Sequence, residues 1–214
     1  MRVRNKPWAE EYIKQHEGLV VLNPEEQKGN WKERFDQPAN PLHLEIGSGR
    51  GGFIRGMAEK NQDVNFIGIE IQKNIIVHTI DEVKDSGVSN VRLIHADANH
   101  LQDFFNENEL STIYLNFSDP WPKNRHEKRR LTYKSFLNQY QQILKPDGMI
   151  VMKTDNRQLF EYSLVSFSQA GFELGDVSLD LHAETELDNV MTEYEAKFSE
   201  KGQPIFRCIV HNRQ

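Results

Sequence analysis

The sequence predicts an α/β fold with a doubly wound, mainly parallel sheet, helices on both faces and an antiparallel last strand. Two observations support this fold class. From Leu42 onward, short apolar-rich segments alternate about five times with segments of helical periodicity, as in proteins built from strand–helix–strand units. Closely spaced glycines follow the first of these segments, where the chain turns sharply from a strand into a helix. Ligands of such sheets bind at the C-terminal ends of the strands.

Apolar periodicity and stop residues define the elements of the first half of the chain. Phe53 and Met57 stand four residues apart, as on one face of a helix, and Gly87 is typical of the position just beyond a helix end. The predicted elements are a short helix within residues 8–17, a strand at 42–46, a helix at 52–60, a strand at 64–70, a helix at 74–86, a strand at 91–96 and a short helix near 101–105.

The second half continues the same alternation. Tyr133, Leu137 and Tyr140 recur at helical spacing, and Gly171 closes a further helix. The predicted elements are a strand at 111–117, a helix at 131–144, a strand at 149–154, a helix at 159–170, a strand-like segment at 172–181 and a last strand at 205–211.

Residues 1–40 lack a clear period and contain three prolines and two glycines, so we interpret them as an N-terminal extension. Arg2, Arg4 and Lys6 give this extension a basic arm. Residues 41–214 are expected to form one domain that carries the site.

The composition is that of a globular protein. The chain has 214 residues, of which 37% are hydrophobic and 27% charged, and its mean hydropathy of −0.68 argues against a membrane-spanning helix. Its N-terminus lacks the apolar stretch of a secretory signal. The one cysteine, Cys208, excludes an internal disulfide and a cysteine-rich zinc site, and it is expected to be buried. A reducing cytoplasm suits these features.

The charge is distributed unevenly along the chain. The net charge is −6, yet Lys123–Arg130 alone carries +4, which leaves −10 for the remaining residues. A compact basic segment on an acidic protein indicates either a solvated surface turn or a place where a polyanion binds.

A glycine-rich segment follows the first strand as Glu45-Ile-Gly47-Ser-Gly49-Arg-Gly51-Gly52. It matches both the GxGxxG fingerprint of dinucleotide-binding proteins and the ExGxGxG loop of S-adenosylmethionine (SAM) enzymes. Glu45 would repel a pyrophosphate but suits a cationic amino-acid ligand, which favours SAM over NAD.

Two further carboxylates end the next strands. Glu70 is placed to accept hydrogen bonds from the ribose hydroxyls of a nucleoside, whether of NAD or of SAM. Asp97 is placed to accept from an exocyclic amine such as that of adenine, although an aspartate at this position also commonly caps a helix.

The segment after the fourth strand, NFSDPWPKNRHEKRR (116–130), combines a carboxylate, an aromatic ring and a lysine within five residues. Asp119, Trp121 and Lys123 suit a planar, polar target such as a nucleic-acid base, although Trp121 is equally suited to core packing. The basic run Lys123–Arg130 would hold phosphates around such a base.

Together these motifs resemble the bacterial tRNA (guanine-N7-)-methyltransferase family. The resemblance rests on ExGxGxG, DPWPK followed by RHEKRR, LKPDG (144–148), KTD (153–155) and TEYE (192–195), in this order, and it runs from about Leu42 to the C-terminus. It implies a Rossmann-like SAM-dependent fold and methyl transfer to N7 of the variable-loop guanine, position 46 of tRNA. It also implies tRNA as partner, with no membrane and no metal, and leaves monomer or homodimer open.

The resemblance also assigns roles to residues of this sequence. Cofactor positions are Glu45, Gly47, Gly49, Gly51, Glu70, Asp97 and Asp119, with Asp119 also in the catalytic position. Guanine positions are Lys123, Asp155, Thr192, Glu193, Tyr194 and Glu195. The tRNA-contacting positions are Arg125, His126, Glu127, Lys128, Arg129 and Arg130.

The alternatives are a SAM-dependent methyltransferase of another RNA base, an NAD-dependent oxidoreductase and a non-catalytic RNA-binding module. The oxidoreductase leaves the basic run unexplained, and the binding module leaves the strand-end acids unexplained.

Overall fold

The computed structural model describes residues 6–183 and 189–213, so Arg2 and Arg4 of the basic arm lie outside the described residues. The chain divides into two compact units, Met1–Asn106 and Glu107–Gln214. Each unit contains its own part of the α/β pattern. Among the described residues, no helix is both long and apolar enough to cross a membrane.

The first unit is built on three parallel strands in the order β3-β2-β1. All six residues of β2 are buried, as expected for a strand covered on both faces. The strands are β1 (Leu42–Ile46), β2 (Asn65–Glu70) and β3 (Val91–His95). The helices are α1 (Ala9–Gln15), α2 (Gly52–Lys60), α3 (Lys73–Ser86) and α4 (Leu101–Phe104).

The segment before β1 packs onto this unit. Val20 pairs in parallel with Leu93 of β3, which extends the hydrogen bonding of that strand. Trp31 is fully buried, and its indole N–H donates to the carbonyl oxygen of Phe104. Burying a tryptophan with its N–H satisfied contributes strongly to a core. The described part of the extension is therefore an integral layer of the first unit.

The second unit has the strand order β4-β5-β7-β6. β4 and β5 are parallel, whereas β7 is antiparallel to both β5 and β6, which confirms the predicted antiparallel last strand. The strands are β4 (Leu110–Asn116), β5 (Leu144–Thr154), β6 (Glu173–Ser178) and β7 (Phe206–His211). The helices are α5 (Lys134–Ile143), α6 (Arg157–Gln169) and α7 (Glu193–Ser199).

Candidate active site

The glycine-rich loop joins β1 to α2 and is attached to the end of β2. The N–H groups of Gly47 and Ser48 both donate to the carbonyl oxygen of Ile69, at 2.8 and 3.1 Å. Gly47, Gly49 and Gly51 all adopt left-handed backbone conformations, with φ of 80°, 58° and 97°. Residues with a Cβ rarely adopt such backbone angles, which explains the glycines at these positions.

The three glycines differ in what surrounds them. A Cβ added to Gly47 would have no heavy atom within 4 Å, and one added to Gly49 would meet only a carbonyl oxygen at 3.9 Å. A Cβ added to Gly51 would lie 3.0 Å from Thr79 of α3. Gly47 and Gly49 therefore keep open space above the loop, which suits a ligand, whereas Gly51 permits close packing of the loop on α3.

Glu70, at the end of β2, holds the loop in place. Its Oε2 accepts the N–H of Gly49 at 3.2 Å, and its Oε1 accepts the N–H of Gln72 at 2.9 Å. Thr79 donates its hydroxyl to the carbonyl oxygen of Gly49 at 2.8 Å, so the peptide groups on both sides of Gly49 are fixed. Thr79 carries this role without any signal in the sequence beyond its position on the buried face of α3.

Glu45 and Asp97 occupy the other two strand-end positions of the first unit. Glu45, near the end of β1, is 3% exposed, which is unusual for a carboxylate and marks a site with a specific partner. Asp97 follows β3 and caps a short 3-10 turn by accepting from the N–H and side-chain amide of Asn99. Asp97 therefore acts as a cap, one of the two roles considered for it, through its Oδ1 atom.

In the second unit, the loop after β4 carries Asp119, and two other residues of this loop have a strained backbone. Phe117 has φ of 48° and Trp121 has φ of 41°, conformations that are rare for bulky side chains. Asp119 lies between them and is exposed. Such strain persists only where neighbouring contacts over-determine the backbone, and it is concentrated at functional sites.

The basic run forms a 3-10 helix at Asn124–Arg129. Lys123, Arg125, Lys128 and Arg129 are exposed, whereas His126, Glu127 and Arg130 are half-buried. The guanidinium of Arg129 lies 4.8 Å from the ring centre of Trp121, and His126 meets the same ring edge-on. The ring of Trp121 is therefore in contact with two side chains of the basic run.

Asp155 follows β5, and two side chains orient it. Its Oδ2 accepts the hydroxyl of Tyr194 at 3.1 Å and the amide of Gln203 at 3.0 Å. Burial raises the pKa of Tyr194, and the neighbouring Asp155 carboxylate raises it further, so the phenol stays a donor at neutral pH. The ring of Tyr194 stacks on Phe198 and lies 5.1 Å from that of Phe117.

A cavity of about 700 Å³ opens beside Asp155, and Phe160, Gln203 and Phe206 contribute to its lining. A second cavity, of about 760 Å³, lies at the N-terminal ends of β2 and β3, and none of the predicted site residues lines it. The described residues contain no group of three or more histidine, cysteine or acidic side chains arranged to hold a metal ion.

Glu195 is fully buried, and protein groups surround its carboxylate. It accepts from Lys153 at 2.6 Å and from Asn189 at 2.6 Å, and His182 lies 3.2 Å away. Thr192 and Glu195 form a reciprocal capping box at the start of α7, with Glu193 exposed in the first turn. The structure thus joins Thr192 and Glu195 to each other, and contact of Glu195 with the base stays a prediction.

Comparisons with known proteins agree with this arrangement. A family model described as a putative methyltransferase matches residues 39–208. The chain is 54% identical over 208 residues to the tRNA (guanine-N(7)-)-methyltransferase of Oceanobacillus iheyensis, with 97% of each chain covered. It is 53% identical over 213 residues to the protein of the same name from Bacillus velezensis, which covers 100% of this chain and 98% of that one.

The chain belongs to the tRNA (guanine-N(7)-)-methyltransferase family. Membership confirms the resemblance seen in the motifs, makes the chain a SAM-dependent enzyme and removes the NAD-dependent alternative. The open space at Gly47 and Gly49 and the buried Glu45 fit a bound SAM in this family member.

Solved structures show that the fold of this family is shared more widely. A structure titled an antibiotic-related methyltransferase aligns with a TM-score of 0.61 at 22% identity, over 87% of this chain and 94% of that one. A SAM-dependent methyltransferase from Aquifex aeolicus aligns with a TM-score of 0.56 at 14% identity, over 95% and 98%. The predicted Rossmann-like methyltransferase fold is thereby confirmed.

Proposed function

We propose that this chain transfers the methyl group of SAM to N7 of the variable-loop guanine of tRNA. The observation that carries the proposal is the loop after β4, which presents an exposed Asp119 just before the segment Lys123–Arg130, whose net charge is +4. The names of relatives at 53–56% identity, each over at least 97% of this chain, support the same reaction.

The residues of the first unit bind the cofactor in this proposal, and SAM, when bound, supplies a methyl group on a positively charged sulfur. A carboxylate has room for about four hydrogen bonds, so Glu70 can accept ribose hydroxyls besides the two backbone N–H groups that it already binds. Glu45 faces the cationic amino-acid end, and Asp97 accepts from the adenine amine.

Asp119, Lys123 and Asp155 hold the guanine. N7 of guanine carries a lone pair and no proton at neutral pH, so its attack needs no general base and depends on positioning and electrostatics. Lys123 donates to O6, and Asp155 accepts from the amino and imino edge with Thr192, Glu193, Tyr194 and Glu195 around it. Asp119 stabilises the positive charge that the purine gains as the methyl group arrives.

The exposed cations of the basic run contact tRNA phosphates. Lys123, Arg125, Lys128 and Arg129 are open to solvent, and each phosphate contact releases counterions from the nucleic acid. We propose that residues 41–214 form the methyltransferase domain with residues 1–40 as an extension, and that the enzyme works in the cytoplasm, where tRNA is found.

The decisive experiment identifies the product. Unmodified tRNA is incubated with the protein and SAM labelled in its methyl group, then digested, and the labelled nucleoside is identified by chromatography and mass. We expect 7-methylguanosine, and we expect its loss when the variable-loop guanine is replaced by adenine. Label on another base, on ribose or on a different guanine would contradict the proposal.

The role of Asp119 is tested separately with Asp119→Asn, which keeps the shape of the side chain and removes its charge. We expect the single-turnover rate of methyl transfer to fall about 100-fold while tRNA affinity changes little, as for a group that acts mainly in the transition state. A full single-turnover rate would leave the reaction in place and remove Asp119 from its mechanism.

A further inference from the structure

Arg130 differs from the other arginines and lysines of the basic run. Its guanidinium points back to the loop that carries Asp119: Nε lies 3.2 Å from the carbonyl oxygen of Pro120 and 3.3 Å from that of Trp121, and Nη2 lies 3.1 Å from the latter. Arg130 is half-buried, whereas Lys128 and Arg129 just before it are exposed. Nε and Nη2 of Arg130 therefore donate inside the protein.

The loop that Arg130 contacts needs such a donor. Pro120 and Pro122 have no N–H and cannot tie the loop into a hydrogen-bonded ladder. Trp121 stands before a proline, where extended backbone is favoured, yet it has φ of 41°. Two carbonyl groups in a strained turn are thus held by the planar fork of one arginine, which matches several acceptors at once.

Arg130 is itself held in place by contacts with residues outside that loop. Its guanidinium lies 4.3 Å from the ring centre of Tyr162, on α6, and its backbone N–H and C=O bind Glu127 and Tyr133. Tyr162 is also hydrogen-bonded to Glu127, and burial together with this contact raises the pKa of its hydroxyl. A continuous set of contacts therefore runs from α6 through Tyr162 and Arg130 to Trp121.

We infer that Arg130 is a positioning residue that fixes the backbone of Pro120 and Trp121, and with it the place of Asp119, and that it does not bind a tRNA phosphate. The inference rests on the proposed function, because it gives Arg130 a role in methyl transfer through Asp119. It divides the basic run into exposed phosphate-binding residues and one internal clamp.

Arg130→Lys is the main test, because lysine keeps the positive charge but has neither the planar fork nor the stacking surface. Lys128→Ala serves as the matched variant, since Lys128 is exposed in the same run. Two quantities are measured for each: the slope of log affinity for tRNA against log salt concentration, and the single-turnover rate with tRNA and SAM saturating.

We expect Arg130→Lys to leave the salt slope unchanged and to lower the single-turnover rate at least about 10-fold. Lys128→Ala should reduce the slope by about one unit, as for one lost phosphate contact. Tyr162→Leu, which removes the surface under Arg130, should lower the rate in the same direction as Arg130→Lys and leave the slope unchanged.

A full rate in Arg130→Lys would overturn the inference, because charge alone would then suffice. So would a reduced slope in Arg130→Ala together with an unchanged saturated rate, the result expected of a phosphate contact. The wild-type protein distinguishes failure of the proposed function from failure of this inference. If the wild-type protein makes no 7-methylguanosine in tRNA, the proposed function is wrong. If the wild-type protein makes the normal product and Arg130→Lys has a full rate, only the positioning role of Arg130 is wrong.

Discussion

The ion pair between Lys153 and Glu195 is enclosed by the protein, with side chains 3% and 0% exposed. Removing two charges from water is costly, and the pair is tolerated because further groups complete its hydrogen bonding. Lys153 also donates to the side chain of Asn189 and to the carbonyl oxygen of Val190, both at 3.0 Å. The pair thereby attaches the start of α7 to β5, two residues before Asp155.

We expect Glu195→Gln to destabilise the protein by about 3–5 kcal/mol, because the ammonium of Lys153 would remain buried without its counter-charge. Urea unfolding followed by circular dichroism measures this loss. Glu161→Gln is the matched control: the Arg157–Glu161 pair has side chains 79% and 59% exposed, and its loss should cost less than about 1 kcal/mol. Equal small losses in the two variants would show that the buried pair contributes no more than the surface pair.

Cys208 is fully buried in β7, as the sequence predicted, and burial raises its pKa to about 12. A thiol reacts as its thiolate, which is scarce at neutral pH at this position. We expect a thiol-specific reagent to label native protein at least about 100-fold more slowly than protein in denaturant. Labelling at similar rates in the two states would mean that β7 opens readily.

Residue identity alone did not reveal which of these charged groups face inward. The motifs place Glu195 among the guanine positions and Arg130 among the tRNA positions, and they do not indicate that either side chain also has partners inside the protein. Their partners, Lys153 and Tyr162, lie tens of residues away in the chain, and only the folded second unit brings them together. A lysine within the apolar strand MIVMKT is the signal that would have indicated a buried pair.

At the scale of the element, a pair of glycines allows the effect of a Cβ on backbone strain to be distinguished from its effect on ligand binding. Gly47 and Gly171 have similar φ, 80° and 86°, and a Cβ added to either would have no heavy atom within 4 Å. Only Gly47 stands in the proposed cofactor loop. Alanine at the two positions should therefore cost the same strain and differ only in the effect on ligand binding.

We expect Gly47→Ala and Gly171→Ala each to lower stability by about 1–2 kcal/mol, the cost of a Cβ in the left-handed region. Gly47→Ala should in addition weaken binding of S-adenosylhomocysteine at least about 10-fold, since its methyl group would project into the open space above the loop. Calorimetric titration measures the affinity. Unchanged binding in Gly47→Ala would place the ligand elsewhere.

Element boundaries were predictable where local signals agree. β1 and α2 begin and end at the predicted residues, because apolar strand, glycines and helical spacing follow each other directly. α5 begins three residues later than predicted, since the N–H of Tyr133 binds the carbonyl of Arg130 in a preceding turn. β5 begins at Leu144 rather than Met149, because Leu144 pairs with Leu110 across an irregular register that no local pattern encodes.

At the scale of the whole molecule, cofactor binding should be visible as added stability. We expect S-adenosylhomocysteine, which is SAM without its methyl group, to bind the folded protein and not the unfolded chain. The midpoint of thermal unfolding of the protein should therefore rise with ligand concentration. Glu70→Ala removes the acceptor for the ribose and should reduce that rise strongly, whatever its effect on the unliganded midpoint. A thermal-shift titration compares the two proteins. A full ligand-dependent rise in Glu70→Ala would exclude Glu70 from the cofactor site.

The fold class and the family were predictable from the sequence, because both depend on patterns that repeat or stand close together along the chain. The packing of residues 6–40 onto the first unit was not, since Val20 pairs with Leu93 and Trp31 binds Phe104, more than 70 residues away. Prolines and the lack of a hydrophobic period indicate an irregular segment, but they do not predict the surface on which that segment packs.

The strand order β5-β7-β6 has a consequence for synthesis on the ribosome. β6 leaves the ribosome before β7, yet within the described residues β7 is its neighbour in the sheet and also the antiparallel neighbour of β5. Until residues 206–211 emerge, β5 and β6 each present an unpaired edge, which is a template for aggregation. Nascent chains of this enzyme halted after β6 are therefore expected to be clients of chaperones that shield exposed strands.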